Sequence, residues 1–237
     1  MLAYVSTKER ILDYIKKNEV NIGDRLPPES ELCKILGISR LTLREAINTL
    51  KNEGIINSIQ GKGTFISNDV ENIANTLNNN LGISEMITYS GHKPGVGHFE
   101  KQLVKAIKSV AEKIRVKEGA DILVLKRIRT ADGNPVVYSM DYLVPKFSAH
   151  LLAVTDESFS LYDFLEQECN VAIGTGIAQI LPVSAERWLA DMLEINEGDP
   201  VQLIKSVIPD VHGKPLMYSE EYFKTGCFKL MINRRRA

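Results

Sequence analysis

The chain contains few cysteines and no long apolar run, and each shortage excludes a class of protein. The three cysteines, Cys33, Cys169 and Cys227, are scattered and form no CxxC pair. Isolated thiols are typical of a reducing compartment and argue against a disulfide framework or a zinc site. No apolar run approaches the roughly 18 residues that span a bilayer, and no signal-peptide pattern follows Met1. We therefore expect a cytoplasmic protein without a membrane span.

The sequence also lacks the residue patterns of catalysis and metal binding. Its four histidines are isolated and have no metal-ligand spacing. Neither a Ser-His-Asp set, a pair of catalytic carboxylates nor a P-loop is present. We therefore expect no catalytic residues, no metal site and no cofactor.

The chain has no net positive charge overall, but its N-terminal part is slightly basic. The net charge is −1. Residues 1–68 hold ten Lys and Arg against eight Asp and Glu, so this part carries +2 and the remainder −3. Contacts to nucleic-acid phosphates need local cations rather than a high overall charge, so this N-terminal part is the candidate for such contacts.

Residues 39–52 have the pattern of a helix that could enter a DNA groove. Ser39 is a suitable N-cap. One apolar stripe has the spacing i, i+3, i+4, i+7; it comprises Leu43, Ala46, Ile47 and Leu50. The first turn then presents Ser39, Arg40, Thr42 and Arg44 outward, and arginine pairs bidentately with guanine edges. A solvated helix face is the alternative interpretation.

The flanking residues place this helix in a helix-turn-helix followed by a β-wing. A helix opening at Pro28 buries Leu32, Ile35 and Leu36 and ends at the turn residue Gly37. An earlier helix opens at a Ser6–Glu9 capping box, and Gly54 ends the later one. Short strands at 55–60 and 64–67 flank a Gly-Lys-Gly loop. Gly61 and Gly63 let the backbone approach DNA, and Lys62 adds charge.

Residues 5–68 resemble the winged-helix domain of GntR-type bacterial transcription regulators. The matching residues are Arg25-Leu26-Pro27-Pro28-Glu29, Leu32, Ser39-Arg40, Leu43-Arg44-Glu45-Ala46, Leu50, Gly54 and Gly61-Lys62-Gly63-Thr64-Phe65. The resemblance implies that DNA is approached by Ser30, Ser39, Arg40, Thr42, Arg44, Gln60 and Gly61. Some members carry Arg in place of Ser30 and His in place of Gln60, so the operator sequence is left open.

The second half contains an internal repeat that follows an Asn-rich linker at residues 69–90. Ala111–Gly119 returns as Ala190–Gly198, and Gly133–Ser139 returns as Gly213–Ser219, with almost the same offset between the copies. Each copy has the pattern of a helix, a Gly turn, a strand, a Gly-x-Pro hairpin and a second strand. The repeat predicts a pseudo-symmetric α+β domain with one antiparallel sheet.

Arg127 and Arg129 distinguish the first copy from the second, where Ser206 and Ile208 stand in their places. Arginines at i and i+2 share one strand face and suit a phosphate or a carboxylate. A strand end that runs into solvent and forms surface salt bridges is the alternative. Ser160-Leu161-Tyr162, before a short amphipathic helix, is a second candidate for the same site.

Residues 92–237 resemble the UTRA effector domain of the HutC subfamily of GntR regulators, which has a chorismate-lyase-like fold. The matching residues are Arg127-Ile128-Arg129, Ala131-Asp132-Gly133 with Pro135, Ser160-Leu161-Tyr162, Gly213-Lys214-Pro215 and Tyr218-Ser219. The resemblance implies that Ser84, Arg127, Arg129 and Ser160 hold a phosphate. Ser139 and Met217 stand near the places of sugar-reading glutamates, and Phe223 replaces a tyrosine. The expected effector is a small anion.

These patterns predict an α+β protein in three parts. Residues 1–68 form a winged helix-turn-helix DNA-binding domain, 69–90 a linker, and 91–237 a chorismate-lyase-like α/β domain with an antiparallel sheet for effector binding and dimerisation. We expect a homodimeric repressor that a small anionic metabolite releases from double-stranded operator DNA. The alternatives are a lyase-like enzyme that uses Arg127, Arg129 and Glu220, and a constitutive architectural DNA binder.

Overall fold

The chain divides into two compact units, Met1–Asn79 with Lys229–Ala237, and Asn80–Phe228. The computed structural model describes residues 3–52, 55–67, 81–228 and 230. In these residues no helix is long and apolar enough to cross a membrane.

Three helices and a hairpin build the first unit. They are α1 (Ala3–Lys17), α2 (Glu29–Leu36), α3 (Arg40–Asn52), β1 (Ile56–Ile59) and β2 (Gly63–Ile66). The helix α1 begins three residues before the predicted start at Ser6, so Ser6 is not its N-cap. The side chains of Ser6 and Glu9, and the predicted helix stop Gly54, lie outside the described residues.

The turn between α2 and α3 follows from two local features. Gly37 adopts a left-handed conformation with φ 61° and ψ 41°, and its N–H donates to the carbonyl oxygen of Cys33. This conformation costs glycine little, because it has no Cβ. The Oγ atom of Ser39 accepts a hydrogen bond from the Thr42 amide at 3.2 Å, which confirms Ser39 as the N-cap of α3.

Packing in the first unit follows the predicted apolar stripe of α3. Leu43, Ala46, Ile47 and Leu50 are all buried in one core with residues of α1 and α2. The prediction for α2 was wrong at Ile35, whose side chain is 48% exposed, while Leu32 and Leu36 are buried. Leu32 and Leu36 are four residues apart and alone supply the buried stripe of this two-turn helix.

The strands β1 and β2 form an antiparallel hairpin in which Ile59 is paired with Gly63. A bridge between Arg25 and Phe65 adds a third segment beside β2. The loop glycines Gly61 and Gly63 have φ values of 75° and 120°, so both occupy backbone conformations that other residues rarely adopt. The hairpin therefore presents a tight tip on a stem that is held from one side by Arg25.

The second unit is a six-stranded antiparallel sheet covered by short helices. Its strands are β3 (Pro94–Lys105), β4 (Asp121–Ala131), β5 (Asn134–Leu143), β6 (Ile177–Ser184), β7 (Pro200–Pro209) and β8 (Pro215–Lys224). Its helices are α4 (Ile83–Tyr89), α5 (Lys108–Ile114), α6 (Ser148–Ala153), α7 (Leu161–Gln167) and α8 (Arg187–Leu193), with a 3₁₀ turn at Pro145–Phe147. The strand order is β3-β4-β5-β8-β7-β6.

The predicted repeat is present as two halves that meet at the central strands β5 and β8. Arg115 and Glu194, at equivalent places in the two copies, end α5 and α8 in the same left-handed conformation, each with φ 52°. The amide of Gly119 donates to the carbonyl of Ala106, and that of Gly198 donates to the carbonyl of Ala185. Each copy also includes a strand before its helix, β3 or β6, that the sequence pattern did not predict.

The predicted linker, residues 69–90, differs from the structure at its C-terminal end. Its described part, residues 81–90, belongs to the second unit. Ile83, Met86 and Ile87 of α4 are buried there. Three apolar residues at i, i+3 and i+4 give one face that packs against a core. Residues 69–80 lie outside the described part of the chain.

Candidate functional site

The exposed face of the helix-turn-helix gathers the polar residues predicted to meet DNA. Ser30 on α2, Ser39 before α3, and Arg40 and Arg44 on α3 are exposed, and Thr42 is half-buried. The Oγ atoms of Ser39 and Thr42 are 2.8 Å apart, so these hydroxyls form one polar group at the start of α3. An exposed first turn with hydroxyl and guanidinium groups suits the edges of bases and nearby phosphates.

Arg44 is held by an acidic residue of the preceding helix. Its Nε atom lies 2.8 Å from Oε2 of Glu29, and the two side chains are 66% and 40% exposed. An ion pair with this exposure is weak, because water screens it. Glu29 therefore orients the Arg44 side chain. Arg44 can exchange Glu29 for another hydrogen-bond acceptor at little energetic cost.

The hairpin tip supplies the remaining predicted DNA contacts. Gln60, Gly61 and Lys62 are exposed, and Gly63 is half-buried beside the stem. A Cβ atom at Gly63 would overlap the Arg25 guanidinium. The amide of Lys62 donates to the carbonyl of Ile59 at 3.0 Å, which fixes the turn and leaves the lysine side chain in solvent.

A small cavity of about 40 Å³ in the second unit brings together most of the predicted effector residues. Six of the eight line it: Ser84, Arg127, Arg129, Ser160, Tyr162 and Met217. The cavity is further lined by Gly82, Ile83, Glu85, Leu161, Asp141 and Glu221. The strands β4, β5 and β8 supply Arg127, Arg129, Asp141 and Glu221, and the residues at the starts of α4 and α7 supply the rest of the lining apart from Met217.

Arg127 is neutralised within the cavity wall. Its Nη2 atom donates to Oδ2 of Asp141 at 2.9 Å, and both side chains are almost fully buried. Ser219 donates to the other oxygen of Asp141 at 2.7 Å. The guanidinium also lies 5.5 Å from the centre of the Phe159 ring. A buried pair with added hydrogen bonds is fixed in one geometry, because breaking it would leave a charge without a partner.

Arg129 is as deeply buried as Arg127 but has no carboxylate within ion-pair distance among the described residues. Its Nη2 atom donates to the carbonyl oxygen of Phe159 at 3.1 Å. Burial and the neighbouring Arg127 lower the pKa of Arg129 to about 10. The Nε atoms of both arginines are buried without a hydrogen-bond partner in the described part of the chain. Such donors favour an oxyanion in the cavity.

Glu221 is the second acidic residue that the sheet contributes to the cavity. It is paired across the sheet with Ser139 of β5 on one side and with Ile204 of β7 on the other. Burial, and then the neighbouring Asp141, raise the pKa of Glu221 to about 8, against an opposing effect of Arg127. At neutral pH the cavity therefore holds this group mainly in its protonated form.

Two predicted effector residues do not line the cavity. Ser139 is fully buried, and its Oγ atom has no hydrogen-bond partner among the described residues. Phe223 is 2% exposed and packs edge-on against Phe228, with ring centres 5.5 Å apart. The alternative of a solvent-exposed strand end for Arg127 and Arg129 was wrong, because these side chains are 5% and 4% exposed.

Asp141 and Glu221 are the acidic residues of the sheet that line the cavity without having been predicted from sequence. They occupy equivalent places in the two copies of the repeat, and each stands two positions after a serine of the matched hairpins. Side chains at i and i+2 share a strand face. A charged residue at the same place in both copies, on the strand face of Ser139, was the available signal.

The lyase-like alternative required Glu220 beside the two arginines, and the structure separates them. Glu220 accepts a hydrogen bond from Tyr218 at 2.6 Å and pairs with Lys205 at 2.9 Å. It lines a different and wider groove of about 850 Å³, which neither arginine lines. Adjacent strand residues point to opposite faces, so Glu220 and Glu221 serve different surfaces. In the described residues no group of acidic, His and Cys side chains is suited to hold a metal ion.

Comparison with known families assigns both units. Residues 90–229 match the family described as "UTRA domain", and residues 3–66 match "Bacterial regulatory proteins, gntR family". The chain belongs to the gntR-family regulators that carry a UTRA domain. Such a chain is a ligand-responsive, DNA-binding transcription regulator of α+β fold, with a gntR-type helix-turn-helix followed by a UTRA domain built on an antiparallel sheet. The family is one of transcription regulators, so membership makes the lyase-like alternative a poor description.

Two relatives of similar length are named as a transcriptional regulator and a transcriptional repressor. The "HTH-type transcriptional regulator GgaR" of Escherichia coli (strain K12) is 27% identical over 226 residues, which cover 95% of this chain and 88% of that protein. A second Escherichia coli (strain K12) protein, named "Probable fructoselysine utilization operon transcriptional repressor", is 26% identical over 236 residues, covering 99% and 96%.

Solved structures share the fold over the whole chain. YydK from Bacillus subtilis has a TM-score of 0.77 at 20% identity, covering 99% of this chain and 100% of that one. PhnF from Mycobacterium smegmatis has a TM-score of 0.63 at 20% identity, covering 98% and 99%. At this level of identity the likeness establishes the fold only.

Proposed function

We propose that this regulator is a repressor and that a small anionic metabolite releases it from its operator. The observation that carries the proposal is the pair of buried arginines, Arg127 and Arg129, whose Nε donors have no partner in the described part of the chain. A fold that buries two guanidinium groups beside a cavity gains most when an oxyanion completes their hydrogen bonds.

The proposed DNA contacts lie on α2, α3 and the hairpin tip. The contact residues are Ser30, Ser39, Arg40, Thr42, Arg44, Gln60, Gly61, Lys62 and Gly63. Arg44 reads a guanine edge in the major groove after exchanging Glu29 for the base. Lys62 and the glycine backbone at the tip contact phosphates or the minor groove. All nine residues lie in the first unit and all except the half-buried Thr42 and Gly63 are exposed, which supports this assignment.

Selection of binding sites from a random duplex library tests the DNA-binding part of the proposal. We expect the full-length protein to enrich a near-palindromic sequence whose half-sites are spaced by whole helical turns. Affinity for the selected site falls steeply with salt, because phosphate contacts release counterions. Failure to enrich any sequence, with a folded protein, would contradict operator recognition.

The proposed effector site is the cavity in the second unit. Arg127, Arg129, Ser84 and Ser160 hold the oxyanion, and Tyr162 and Met217 close the cavity around the rest of the molecule. Ser139, which is paired with Arg127 and Glu221 in the sheet, and Phe223, two residues after Glu221, influence this site indirectly. The two arginines and the two serines all line one small cavity, and this supports the assignment.

Thermal denaturation against a panel of phosphorylated sugars, phosphonates, carboxylates and amino acids tests the effector site. A ligand present at 100 times its Kd adds about 2.7 kcal/mol to the free energy of unfolding. We expect anions to stabilise the wild type and an Arg129→Gln variant to lose this effect. Stabilisation only by neutral or cationic compounds would contradict an anion site.

Dimerisation through the second unit completes the proposal. The strand β6 lies at an edge of the sheet, and Ile177 and Ile180 on it are 82% and 41% exposed. An edge strand with exposed apolar side chains favours pairing with another chain. Two protomers in the cytoplasm would then place two α3 helices in successive major grooves. Effector binding shifts DNA affinity only through its differential affinity for two arrangements of the dimer.

The domain division that we propose is close to the one predicted from sequence. Residues 1–68 bind DNA, and residues 81–228 bind the effector and dimerise. The linker is restricted to residues 69–80, because residues 81–90 belong to the second unit.

A further inference from the structure

Glu221 is the acidic residue on the sheet side of the effector cavity that the described structure leaves without a hydrogen-bond or ion-pair partner. No hydrogen bond or ion pair joins its carboxyl group to the other described residues. Asp141, the second carboxylate of the cavity, is bound by both Arg127 and Ser219. The two acidic residues that the sheet contributes to this cavity therefore differ: Asp141 already has partners, and Glu221 is available to a ligand.

The internal repeat explains why Glu221 lacks a cation. Asp141 and Glu221 occupy equivalent places in the two copies. In the first copy, Arg127 faces Ser139 across the strands, and its guanidinium reaches Asp141. In the second copy, Ser206 faces Ser219 at the equivalent position, so no guanidinium reaches Glu221. The second copy therefore keeps the acidic residue of the ion pair but has no arginine to match it.

The charges of the cavity can be assigned group by group. Asp141 neutralises Arg127 at 2.9 Å. Among the described residues Arg129 donates only to the Phe159 carbonyl, and the carboxylates of Asp141 and Asp156 act on it from beyond ion-pair distance. Glu85, which is exposed, and Tyr162, which is mostly buried, are the other titratable groups that line the cavity. What remains for a ligand is one buried cation, Arg129, and one carboxyl group, Glu221.

We propose that Glu221 binds a protonated amine of the effector, so that the cavity selects small molecules with both an oxyanion and an ammonium group. This inference rests on the proposed function of the cavity as an anion site. The oxyanion meets Arg129 and the unpartnered Nε donors, and the ammonium group meets Glu221. A ligand without an amine satisfies the arginines but brings no positive charge to Glu221.

The proton balance of Glu221 supports this assignment. Before a ligand binds, burial and Asp141 raise its pKa to about 8, so the group is mainly protonated at pH 7. An ammonium group beside it stabilises the carboxylate, and the proton passes to the buffer. Binding of such a ligand therefore releases nearly one proton at pH 7. Binding of a ligand without the amine leaves the proton on Glu221.

Matched phosphate monoesters test the inference with the full-length protein. The probes are ω-aminoalkyl phosphates with two, three and four carbons, their ω-hydroxyalkyl counterparts and inorganic phosphate. Titration calorimetry at pH 7 measures each Kd, and repetition in buffers of different ionisation enthalpy gives the number of protons released. We expect at least one amino ester to bind at least tenfold more tightly than its hydroxy counterpart and to release close to one proton.

Two variants separate the role of Glu221 from general damage. Glu221→Gln keeps the shape and removes the charge, so we expect it to abolish the preference for the amino ester and the proton release. Its affinity for the hydroxy ester should stay within about threefold of the wild type. Glu220→Gln, a neighbour on the opposite face of β8, is the matched control and should keep the tenfold preference.

The outcomes separate the inference from the proposed function. Equal binding of amino and hydroxy esters, or a preference that survives in Glu221→Gln, overturns the inference and leaves the anion site standing. Absence of binding by every phosphate, including inorganic phosphate, overturns the anion site and the inference with it. Enrichment of an operator sequence is measured independently, and it decides whether DNA recognition stands in either case.

Discussion

At the scale of the residue, burial of the Glu221 carboxyl group makes the free energy of unfolding depend on pH. Its pKa rises from 4.5 to about 8 on folding. Between these values the folded chain keeps a proton that the unfolded chain loses, so the stability contributed by this group falls as pH rises from 4.5 to 8. We expect Glu221→Gln to stabilise the protein by about 2–4 kcal/mol at pH 8 and to have little effect at pH 5.

Urea denaturation at pH 5, 6.5 and 8 measures this pH dependence. Glu166→Gln is the matched control, because Glu166 is exposed on α7. The difference between wild type and the Glu166 variant should not change with pH. A difference between wild type and Glu221→Gln that is constant over the same range would show that folding does not shift this pKa.

We expect replacement of Arg44 and replacement of Lys62 to change DNA binding in different ways. Arg44 is positioned on α3 to read a base edge, so Arg44→Ala should cost about 1–3 kcal/mol of operator affinity and relax specificity at one base pair. Lys62 is exposed at the hairpin tip. Lys62→Ala should weaken all sequences alike and lower the salt slope by about 1. Fluorescence titrations with the selected operator and single-base variants distinguish these results.

Unchanged operator affinity and selectivity in Arg44→Ala would contradict the assignment of α3 as the recognition helix. The variant should fold normally, because the ion pair of Arg44 with Glu29 is mostly exposed. Its circular dichroism spectrum serves as the check.

At the scale of the element, the turn between α2 and α3 depends on Gly37. Nothing lies within 4 Å of a Cβ built at this position, so a substitution costs only the strain of the left-handed backbone. We expect Gly37→Ala to lower the free energy of unfolding by about 1–2 kcal/mol. Gly37→Asn should cost clearly less, because asparagine tolerates this conformation. Equal losses in the two variants, measured by urea denaturation, would point to a packing effect instead.

Local patterns identified most elements because their determinants lie close together in sequence. The stripe from Leu43 to Leu50 and the cap at Ser39 each depend on residues within two turns, and both are present. Ile35 and Ser6 were misassigned for the opposite reason. Which of two adjacent apolar residues is buried, and where a helix begins, depends on what packs against it.

At the scale of the whole molecule, the two halves of the sheet should respond alike to equivalent substitutions. Arg115 and Glu194 end α5 and α8 with φ 52°, a conformation that favours glycine. We expect Arg115→Gly and Glu194→Gly to raise the free energy of unfolding by similar amounts, about 0.5–1 kcal/mol each. Lys113→Gly, inside α5, is the control and should destabilise by about 1 kcal/mol.

Thermal denaturation of the three variants checks this prediction. Opposite effects of Arg115→Gly and Glu194→Gly would show that equivalent positions in the two copies of the repeat do not contribute alike to the free energy of unfolding. The double variant should show the sum of the two gains, provided that the two sites do not share contacts.

The sequence by itself determined the class of the protein. The helix-turn-helix, the Gly-Lys-Gly hairpin and the repeat in the second half are local or periodic, so they can be recognised before folding. The two arginines of the cavity were also identifiable, because Ser206 and Ile208 replace them in the second copy.

Only the tertiary structure decided how the charges are paired. Arg127 forms an ion pair with Asp141 on the neighbouring strand, and Arg129 donates a hydrogen bond to the carbonyl of Phe159 in a loop. Glu221 is left without a cation. The tertiary structure also places Glu220 on the other face of the sheet, where it pairs with Lys205, and it packs Phe223 against Phe228 outside the cavity lining. The physical reason is that pairing and burial depend on strand register and on which elements cover the sheet, and these are set by contacts between residues distant in sequence.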